Sequence, residues 1–145
     1  MKTLFKKISI ASDHAGYKLK EFIKVSLKKS NIELIDLGPH DTESVDYPDF
    51  AKKVSKNIRS KKSKLGILVC GSGTGMAISA NKNKKIRAAV CYNSSSTRLS
   101  REHNDANIIA LGSRLTNKAL ALKLVSIFIN TKFKGGRHKK RIKKI

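Results

Sequence analysis

The sequence predicts an α/β fold in which helices cover both faces of a parallel sheet. Short apolar segments typical of strands alternate along the chain with segments whose apolar residues recur at helical spacing. One strand segment, Leu65–Cys70, is apolar throughout, which is typical of a strand buried on both faces. Strands that alternate with helices are joined by crossover connections, which place neighbouring strands parallel.

The first predicted strand is Lys7–Ala11, and the second is Ile32–Leu37, which ends at the turn dipeptide Gly38-Pro39. The helix between them has an apolar face formed by Leu19, Phe22, Ile23 and Leu27. The opposite face of this helix is rich in lysine, so we expect the following side chains to be exposed: Lys18, Lys20, Lys24 and Lys28.

The rest of the chain continues this alternation. After a loop predicted over Asp41–Pro48, the second helix has an apolar face made of Phe50, Ala51, Val54 and Ile58. The remaining strands are predicted over 65–70, 87–91 and 107–111, and the helices that follow them over 76–83, up to Leu99 and over 117–131. The last of these helices is apolar on most faces, so we expect it to be buried, partly in an interface with a second copy.

Length and composition are those of one globular domain, predicted over residues 1–145 with a basic tail over 132–145. No apolar run reaches the about 18 residues that a membrane span needs, and the N-terminal apolar run is too short and too interrupted for a signal peptide. The two cysteines, Cys70 and Cys91, form no C-x-x-C pair, which favours a reducing compartment. We therefore expect a cytoplasmic protein.

The net charge of +22 raises the question of nucleic-acid binding. The chain has 32 Lys and Arg residues against 10 Asp and Glu residues, but the lysines occur in nearly every segment. This scatter favours a compositional bias over a dedicated binding groove, so nucleic acid is not the expected partner. A basic nucleic-acid binder would differ by a steep dependence of its affinity on salt.

Polar and reactive residues lie next to the predicted strand ends. Ligands of parallel α/β sheets bind at the carboxyl ends of the strands. Four groups of residues are therefore candidates for a site at this edge: Ser12–His14, Cys70–Gly75, Gly112–Arg114, and His103 with Asn104, which precede the fifth strand.

The glycine-rich segment Cys70–Gly75 matches neither of the common nucleotide loops. The G-x-x-x-x-G-K-[ST] pattern is absent, and the glycines are spaced G-x-G-x-G rather than G-x-G-x-x-G. No acidic residue occurs between Asp49 and Glu102, so the acid that would hold a ribose is missing. Glycines before a helix N-terminus still favour a bound anion, because backbone amides point at the ligand.

Cys70 has two interpretations at this position. The field of a helix N-terminus favours a thiolate, which would make Cys70 a reactive group. Most free cysteines, however, are small buried hydrophobic residues, and the sequence leaves both interpretations open. Cys91 also ends a strand but lacks a following glycine turn, so we expect it to be structural.

Histidines and arginines supply the remaining candidates. A lone histidine is more often structural than catalytic, but His14 lies beside Asp13 and His103 beside Asn104. Arg137 and Arg141 are four positions apart, so a helical turn would direct both guanidinium groups at one spot. Two guanidinium groups on one face suit a phosphate.

The chain resembles the ribose-5-phosphate isomerase B family, which also includes galactose-6-phosphate and allose-6-phosphate isomerases. The matching segments occur in order over nearly the whole chain, and their joint presence is specific: SDHAGYKLK, DLG, DYPDFA, GILVCGSGTGMAISANK, IRAAVC, SREHNDANIIALGSR and GGRHKKR. One branch of the family has Gly at the position of Cys70 and Glu at that of Met76, so this chain resembles the cysteine branch.

The resemblance implies a Rossmann-like, three-layer α/β/α sandwich with a five-stranded parallel sheet. It also implies a homodimer, or a dimer of dimers, whose active sites lie between subunits. The implied reaction interconverts ribose 5-phosphate and ribulose 5-phosphate without a metal or organic cofactor. Galactose-6-phosphate isomerases divide their functional residues between two different subunits, whereas this chain holds Cys70, His103, Arg137 and Arg141 together, which favours ribose. Galactose 6-phosphate and allose 6-phosphate remain the alternative substrates.

The resemblance also implies roles for individual residues. Cys70 corresponds to the base that removes a proton, and His103 corresponds to the acid that opens the furanose ring. Asp13 and Ser72 are the other expected catalytic residues, and Ser72 supplies the hydroxyl that Thr supplies in some relatives. The expected substrate contacts are Asp13, His14, Tyr47, Gly71, Ser72, Gly73, Thr74, Gly75, Asn104, Arg114, Arg137, His138 and Arg141.

The chemistry of these residue types agrees with an isomerase. Moving a proton between adjacent carbons needs one base and an electrostatic partner for the enediolate oxygens. A thiolate and a ring of backbone amides supply both, and a histidine can protonate the ring oxygen near neutral pH. Two further hypotheses remain open at this stage: a non-catalytic phosphate-binding module, and the nucleic-acid binder discussed above.

Overall fold

The computed structural model describes residues 5–145 and contains a five-stranded parallel sheet with the strand order β2-β1-β3-β5-β4. The strands are β1 Lys7–Ser12, β2 Glu33–Asp36, β3 Leu65–Cys70, β4 Ala88–Val90 and β5 Ile108–Gly112. The helices are α1 Tyr17–Leu27, α2 Tyr47–Arg59, α3 Thr74–Asn81, α4 Ser94–Asn104, α5 Lys118–Asn130 and α6 Arg137–Ile142. The predicted α/β fold with helices on both faces is confirmed.

The helices form a layer on each face of the sheet. Helices α1, α4 and α5 lie on one face, and α2 and α3 lie on the other. The central strand β3 is buried along its whole length, as its apolar sequence predicts. Helix α5 buries Leu124, Val125 and Phe128 completely in the apolar core on the face that it shares with α1 and α4. The apolar sequence of α5 is therefore largely explained by the core of its own chain.

The helices differ from the predictions at several points. Helix α2 already begins at Tyr47, because Pro48 fits the first turn of a helix, where its missing N–H is not needed. Helix α4 extends beyond Leu99 to Asn104 and buries Arg101 in its last turn. The basic tail contains α6, which begins directly after Gly136. Among the described residues, no helix is long and apolar enough to cross a membrane.

The prediction that Lys20 is exposed is wrong. Its side chain is completely buried, and its ammonium group donates to both carboxylate oxygens of Asp36, at 2.9 and 3.0 Å, and to the Pro39 carbonyl, at 2.7 Å. These three bonds saturate the donors of the ammonium group. The ion pair links α1 to the end of β2, where the chain turns toward the predicted site.

Asp36 is held in its charged form by its neighbours. Burial alone would raise the pKa of this carboxyl group. Hydrogen bonds from Lys24, Lys20 and the backbone N–H of Gly38 outweigh burial and lower the pKa below its ordinary value of 3.8. A group with a lowered pKa in the folded state contributes stability above its unfolded-state pKa and loses it as the pH falls through the folded-state value.

We predict that Asp36→Asn lowers the free energy of unfolding by about 3–5 kcal/mol at pH 7, because it leaves the buried Lys20 ammonium without its counter-charge. Urea unfolding measures the change. The matched control is Glu33→Gln on the same strand, since the Lys7–Glu33 pair is exposed and separated by 3.9 Å. That variant should lose less than about 1 kcal/mol.

The difference in unfolding free energy between the wild type and Asp36→Asn should shrink as the pH falls below 3.8. The wild-type carboxylate then becomes protonated and is neutral, like the Asn side chain. Equal losses for the Asp36 and Glu33 variants at pH 7 would contradict this account of the buried pair.

Candidate functional site

A cavity of about 410 Å³ opens at the carboxyl edge of the sheet. The strand order reverses between β1 and β3, and such reversal points form a crevice in parallel α/β sheets. The cavity is lined by Asp13, Tyr47, Cys70, Gly71, Ser72, Gly75, Arg114 and Leu115. Seven of these residues are predicted site residues, so the structure brings together the expected groups from β1, α2, β3 and β5.

Cys70 lines this cavity at the point where β3 ends. Its side chain is only 4% exposed, and its sulfur accepts a hydrogen bond of 3.2 Å from the backbone N–H of Gly73. Gly73 has a φ of 82°, a conformation that favours glycine, and it directly precedes α3. The turn therefore points a backbone donor and the positive end of α3 at the sulfur, which stabilises negative charge there.

The loop after Cys70 is fixed by the segment that follows β5. The backbone N–H of Ser113 donates to the Cys70 carbonyl, at 2.8 Å, and that of Arg114 donates to the Gly71 carbonyl, at 3.0 Å. From the far side, the Tyr92 hydroxyl donates to the Ser72 carbonyl at 2.9 Å. The Ser72 hydroxyl accepts a bond from the Thr74 N–H at 3.3 Å and can still donate to a ligand.

Two of the loop glycines permit close contact with side chains of the cavity wall. A Cβ atom at Gly75 would lie 2.7 Å from the Tyr47 ring, and one at Gly71 would lie 3.0 Å from the Arg114 guanidinium. Glycine at these positions therefore lets an aromatic ring and a cation lie directly against the loop. Tyr47 is 40% exposed, so its hydroxyl-bearing ring also faces the cavity opening.

Asp13 and His14 differ in their position relative to the cavity. The Asp13 carboxylate is buried in the wall and accepts a bond of 2.9 Å from the Gly16 N–H, which fixes its orientation. His14 is exposed and does not line the cavity. Its Nδ1 accepts a bond of 3.2 Å from the Val45 N–H, which leaves Nε2 to carry the proton.

The prediction that His103 and Asn104 share an edge of the sheet with Cys70 is wrong within one chain. Both residues lie in the last turn of α4, which runs back from the end of β4 to the start of β5. The Asn104 carbonyl accepts a bond of 3.0 Å from Arg87, which immediately precedes β4. The two residues are thus at the opposite edge, about 13 Å of strand length from Cys70.

A second cavity of about 230 Å³ lies at that opposite edge. It is lined by His103, Asn104, His138, Arg141, Ile142 and Ile145. The rings of His103 and His138 are stacked, with their centroids 4.3 Å apart and their planes inclined by 14°. Arg137 and Arg141 also line a neighbouring concavity together with Lys140 and Lys144. The predicted phosphate contacts of the tail are therefore grouped with His103, not with Cys70.

The electrostatic environment of His138 is unusual for this chain. Partial desolvation and the neighbouring charges of His103, Arg137 and Arg141 lower the pKa of His138.

The environment of Cys91 does not favour a reactive thiolate. Burial raises the pKa of the Cys91 thiol despite hydrogen bonds from Thr97 and Ser100. This supports the structural role expected for Cys91.

Two residues of the site were missed by the sequence analysis. Leu115 follows Arg114 directly, lines the cavity and remains 61% exposed. An exposed leucine in a loop gives no periodic signal that could have identified it. Tyr92 fixes the Ser72 carbonyl, and its position next to the carboxyl end of β4 is the signal that could have found it.

Known proteins resemble this chain in both sequence and fold. The model of the family described as Ribose/Galactose Isomerase matches residues 8–145. A putative sugar phosphate isomerase of Rickettsia bellii is 47% identical over 95% of this chain and 96% of its own length.

Solved structures give the same result. Ribose-5-phosphate isomerase B of Clostridium thermocellum is 53% identical, with a TM-score of 0.94 over 95% of this chain and 93% of that one. Ribose-5-phosphate isomerase B of Mycoplasma genitalium, solved with bound ribulose 5-phosphate, is 40% identical with a TM-score of 0.90, over 95% of this chain and 92% of that one.

We predict that iodoacetamide alkylates Cys70 faster than Cys91 in the folded protein. Cys70 lines an open cavity and has a backbone donor at its sulfur, whereas Cys91 is completely buried and has a raised pKa. Mass spectrometry of the labelled peptides measures both rates. Cys91→Ala should leave the fast reaction unchanged and Cys70→Ala should remove it; faster labelling of Cys91 would contradict the assignment.

Proposed function

The chain belongs to the ribose/galactose isomerase family and is a sugar-phosphate isomerase, and we propose that it interconverts ribose 5-phosphate and ribulose 5-phosphate with Cys70 as the base. The observation that carries the proposal is the position of the Cys70 sulfur, in the wall of the cavity and within hydrogen-bond distance of the Gly73 N–H. The preference for ribose rests on the similarity to the ribose-5-phosphate isomerases B of Clostridium thermocellum and Mycoplasma genitalium. Galactose 6-phosphate and allose 6-phosphate are the alternative substrates.

In the proposed reaction the Cys70 thiolate removes the proton from C2 of the open-chain aldose. The electron pair of the C2–H bond forms the C1–C2 double bond, and negative charge develops on O1 of the enediolate. The thiol then returns the proton to C1, which uses the electron pair of the C1–C2 double bond and regenerates the thiolate. The O2 proton passes to O1, which neutralises O1, and the electron pair of the O2–H bond forms the C2–O2 carbonyl. No atom or electron is gained or lost, so the reaction needs no external oxidant or reductant.

The glycine loop supplies the electrostatic partner of this enediolate. Gly71, Ser72 and Gly75 line the cavity together with Cys70, so their backbone amides and the Ser72 hydroxyl are the proposed donors. Donors that are already fixed before the reaction stabilise developing negative charge without reorganisation. Asp13, oriented by the Gly16 N–H, is proposed to hold a sugar hydroxyl in the position that the transfer requires.

The ring-opening acid and part of the phosphate site are proposed to come from a second copy of the chain. His103, Arg137 and Arg141 lie at the edge of the sheet away from Cys70, so one chain does not combine them with the base. Exposed apolar side chains flank the edge strand β4, a surface that suits a homodimer: Ile78 on α3, Tyr92 after β4 and Leu99 on α4. Arg114 of one subunit would then face Arg137 and Arg141 of the partner across the phosphate.

The proposed organisation is one domain over residues 1–145. The tail segment is attached to it, since the Lys134 N–H donates to the Glu102 carbonyl at 3.1 Å and the Lys134 ammonium pairs with the Glu102 carboxylate at 2.9 Å. Both cysteines are free thiols, and a thiol base works only where it stays reduced. We therefore propose a cytoplasmic location.

We predict that Cys70→Ala lowers kcat for ribose 5-phosphate by about 10²–10⁴-fold, the usual share of a general base, and leaves the fold intact. A coupled assay of ribulose 5-phosphate formation and a circular dichroism spectrum measure the two effects. Cys91→Ala is the matched control, because it removes the other thiol from a purely structural position, and it should change kcat little. Near-normal turnover of folded Cys70→Ala protein would remove this thiol from the mechanism.

Mixed dimers test whether the site is shared between subunits. One subunit carries Cys70→Ala, and the other carries Arg137→Ala with Arg141→Ala. If each site combines Cys70 of one chain with the arginines of the other, both lesions fall in one site and the second site is intact. We predict recovery to about half of wild-type activity in purified heterodimers, whereas each parent homodimer is inactive. Verified heterodimers without recovered activity would contradict the shared site.

A further inference from the structure

We infer that His138 is a positioning residue for His103, and that an anion bound by Arg137 and Arg141 favours the protonated form of His103 through the stacked pair. The inference rests on the proposed function, in which His103 is the ring-opening acid. It goes beyond that function by linking the binding of the substrate phosphate to the protonation of the acid that acts on the ring oxygen. The family resemblance implies only a substrate contact for His138.

The geometry of the pair carries the inference. The two imidazole rings are nearly parallel, with 4.3 Å between centroids and 14° between planes, although they belong to different helices. His103 lies in the last turn of α4, and His138 lies in the first turn of α6. A face-to-face contact of this kind restricts the rotation of both rings about their side-chain torsions, so His138 fixes the plane in which His103 presents its nitrogens.

The segment that precedes α6 is fixed to α4 beside the stacked rings. Lys134 forms both a backbone hydrogen bond and an ion pair with Glu102, the residue before His103. Gly135 and Gly136, with φ values of 67° and 57°, then reverse the chain into α6, and the His138 N–H donates to the Gly135 carbonyl at 3.1 Å. This turn places the His138 ring against α4 at His103, the residue that follows Glu102.

The charges around the pair are mostly positive. On the α6 side lie Arg137 and Arg141, and before α6 lies Lys134, whose charge is balanced by Glu102. On the α4 side, Asp105 is already engaged by Arg101 at 3.0 Å and by Arg87 at 3.4 Å. Two imidazoles this close do not readily carry two protons. Arg137 and Arg141, which form no ion pair within residues 5–145, also disfavour the first proton on the pair.

A bound phosphate changes this balance. The dianion neutralises Arg137 and Arg141, which removes the repulsion that opposes a proton on the pair. The surroundings of His138 lower the pKa of that ring, so the shared proton resides on His103. The neutral face of His138 then lies against the adjacent imidazolium. His103 becomes an acid when the phosphate group is in place, so ring opening is favoured on the bound substrate.

The first experiment observes the imidazole titration directly by NMR in the full-length protein. The C–H resonances of His14, His40, His103 and His138 are assigned with single variants and titrated from pH 5 to 8, with inorganic phosphate or with chloride at equal ionic strength. Phosphate should shift the His103 midpoint upward in the wild type. The shift should be lost in the Arg137→Ala/Arg141→Ala variant and at least halved in His138→Ala. A His103 midpoint that ignores phosphate, or that moves equally in His138→Ala, overturns the inference.

The second experiment separates positioning from substrate contact. His138→Phe keeps a flat ring on His103 but loses the nitrogens, whereas His138→Ala loses the stack. We expect His138→Ala to lower kcat for ribose 5-phosphate by about tenfold, part of the share of a general acid, and to move the alkaline limb of the pH profile to lower pH, because His103 acts in its protonated form. His138→Phe should retain most of kcat. His40→Phe, a change of an exposed histidine outside both cavities, is the matched control and should match the wild type.

Equal loss of kcat in His138→Phe and His138→Ala would overturn the positioning role in favour of a contact through the ring nitrogens. Wild-type kinetics in both variants would overturn it as well. Absence of any turnover by the wild type would contradict the proposed function instead, and the NMR titration would still decide whether phosphate is coupled to His103 through His138.

Discussion

The parallel direction of the strands is the constraint on which the organisation of the site depends. Each helix between two parallel strands must run back across the sheet, so residues at strand ends and residues at helix ends lie at opposite edges. Asp13, Cys70 and Arg114 follow strands and meet around one cavity. His103 lies at a helix end and is found at the other edge with the tail. The topology thus divides the predicted functional residues into two groups within each chain.

This division gives a physical reason for a symmetric assembly. A two-fold axis places the same pair of surfaces on both partners, so two incomplete halves can form two complete sites. The proposed arrangement would bring a fixed thiol and a donor loop of one chain against a histidine and two arginines of the other. It would also make the reaction dependent on the contact between subunits, since neither the base nor the ring-opening acid suffices alone.

Within the chain, the cavity is preorganised by bonds between neighbouring strand ends. The backbone bonds from Ser113 and Arg114 to the loop after Cys70 connect the ends of β5 and β3, and the Asp13 N–H bonds to the Val69 carbonyl across β1 and β3. Residues on three different segments are therefore held by the same edge of the sheet. The buried pair of Lys20 and Asp36 fixes the end of β2 and the turn beside it, which completes this edge.

The sequence by itself determined the order of strands and helices along the chain, the buried central strand and the strand ends to within one residue, because these follow from apolar periodicity and from glycine and proline at turns. It also identified Cys70 over Cys91 as the reactive candidate, since only Cys70 precedes a glycine turn. The burial of Lys20, the helical extent of the segment up to Asn104 and the stack of His103 on His138 were decided only by the tertiary structure. Each depends on a partner distant in sequence: Asp36 for Lys20, helix α5 for α4 and the tail for His103. Periodicity describes one element at a time, so it assigns a lysine to the solvent unless the opposite charge across the fold is known.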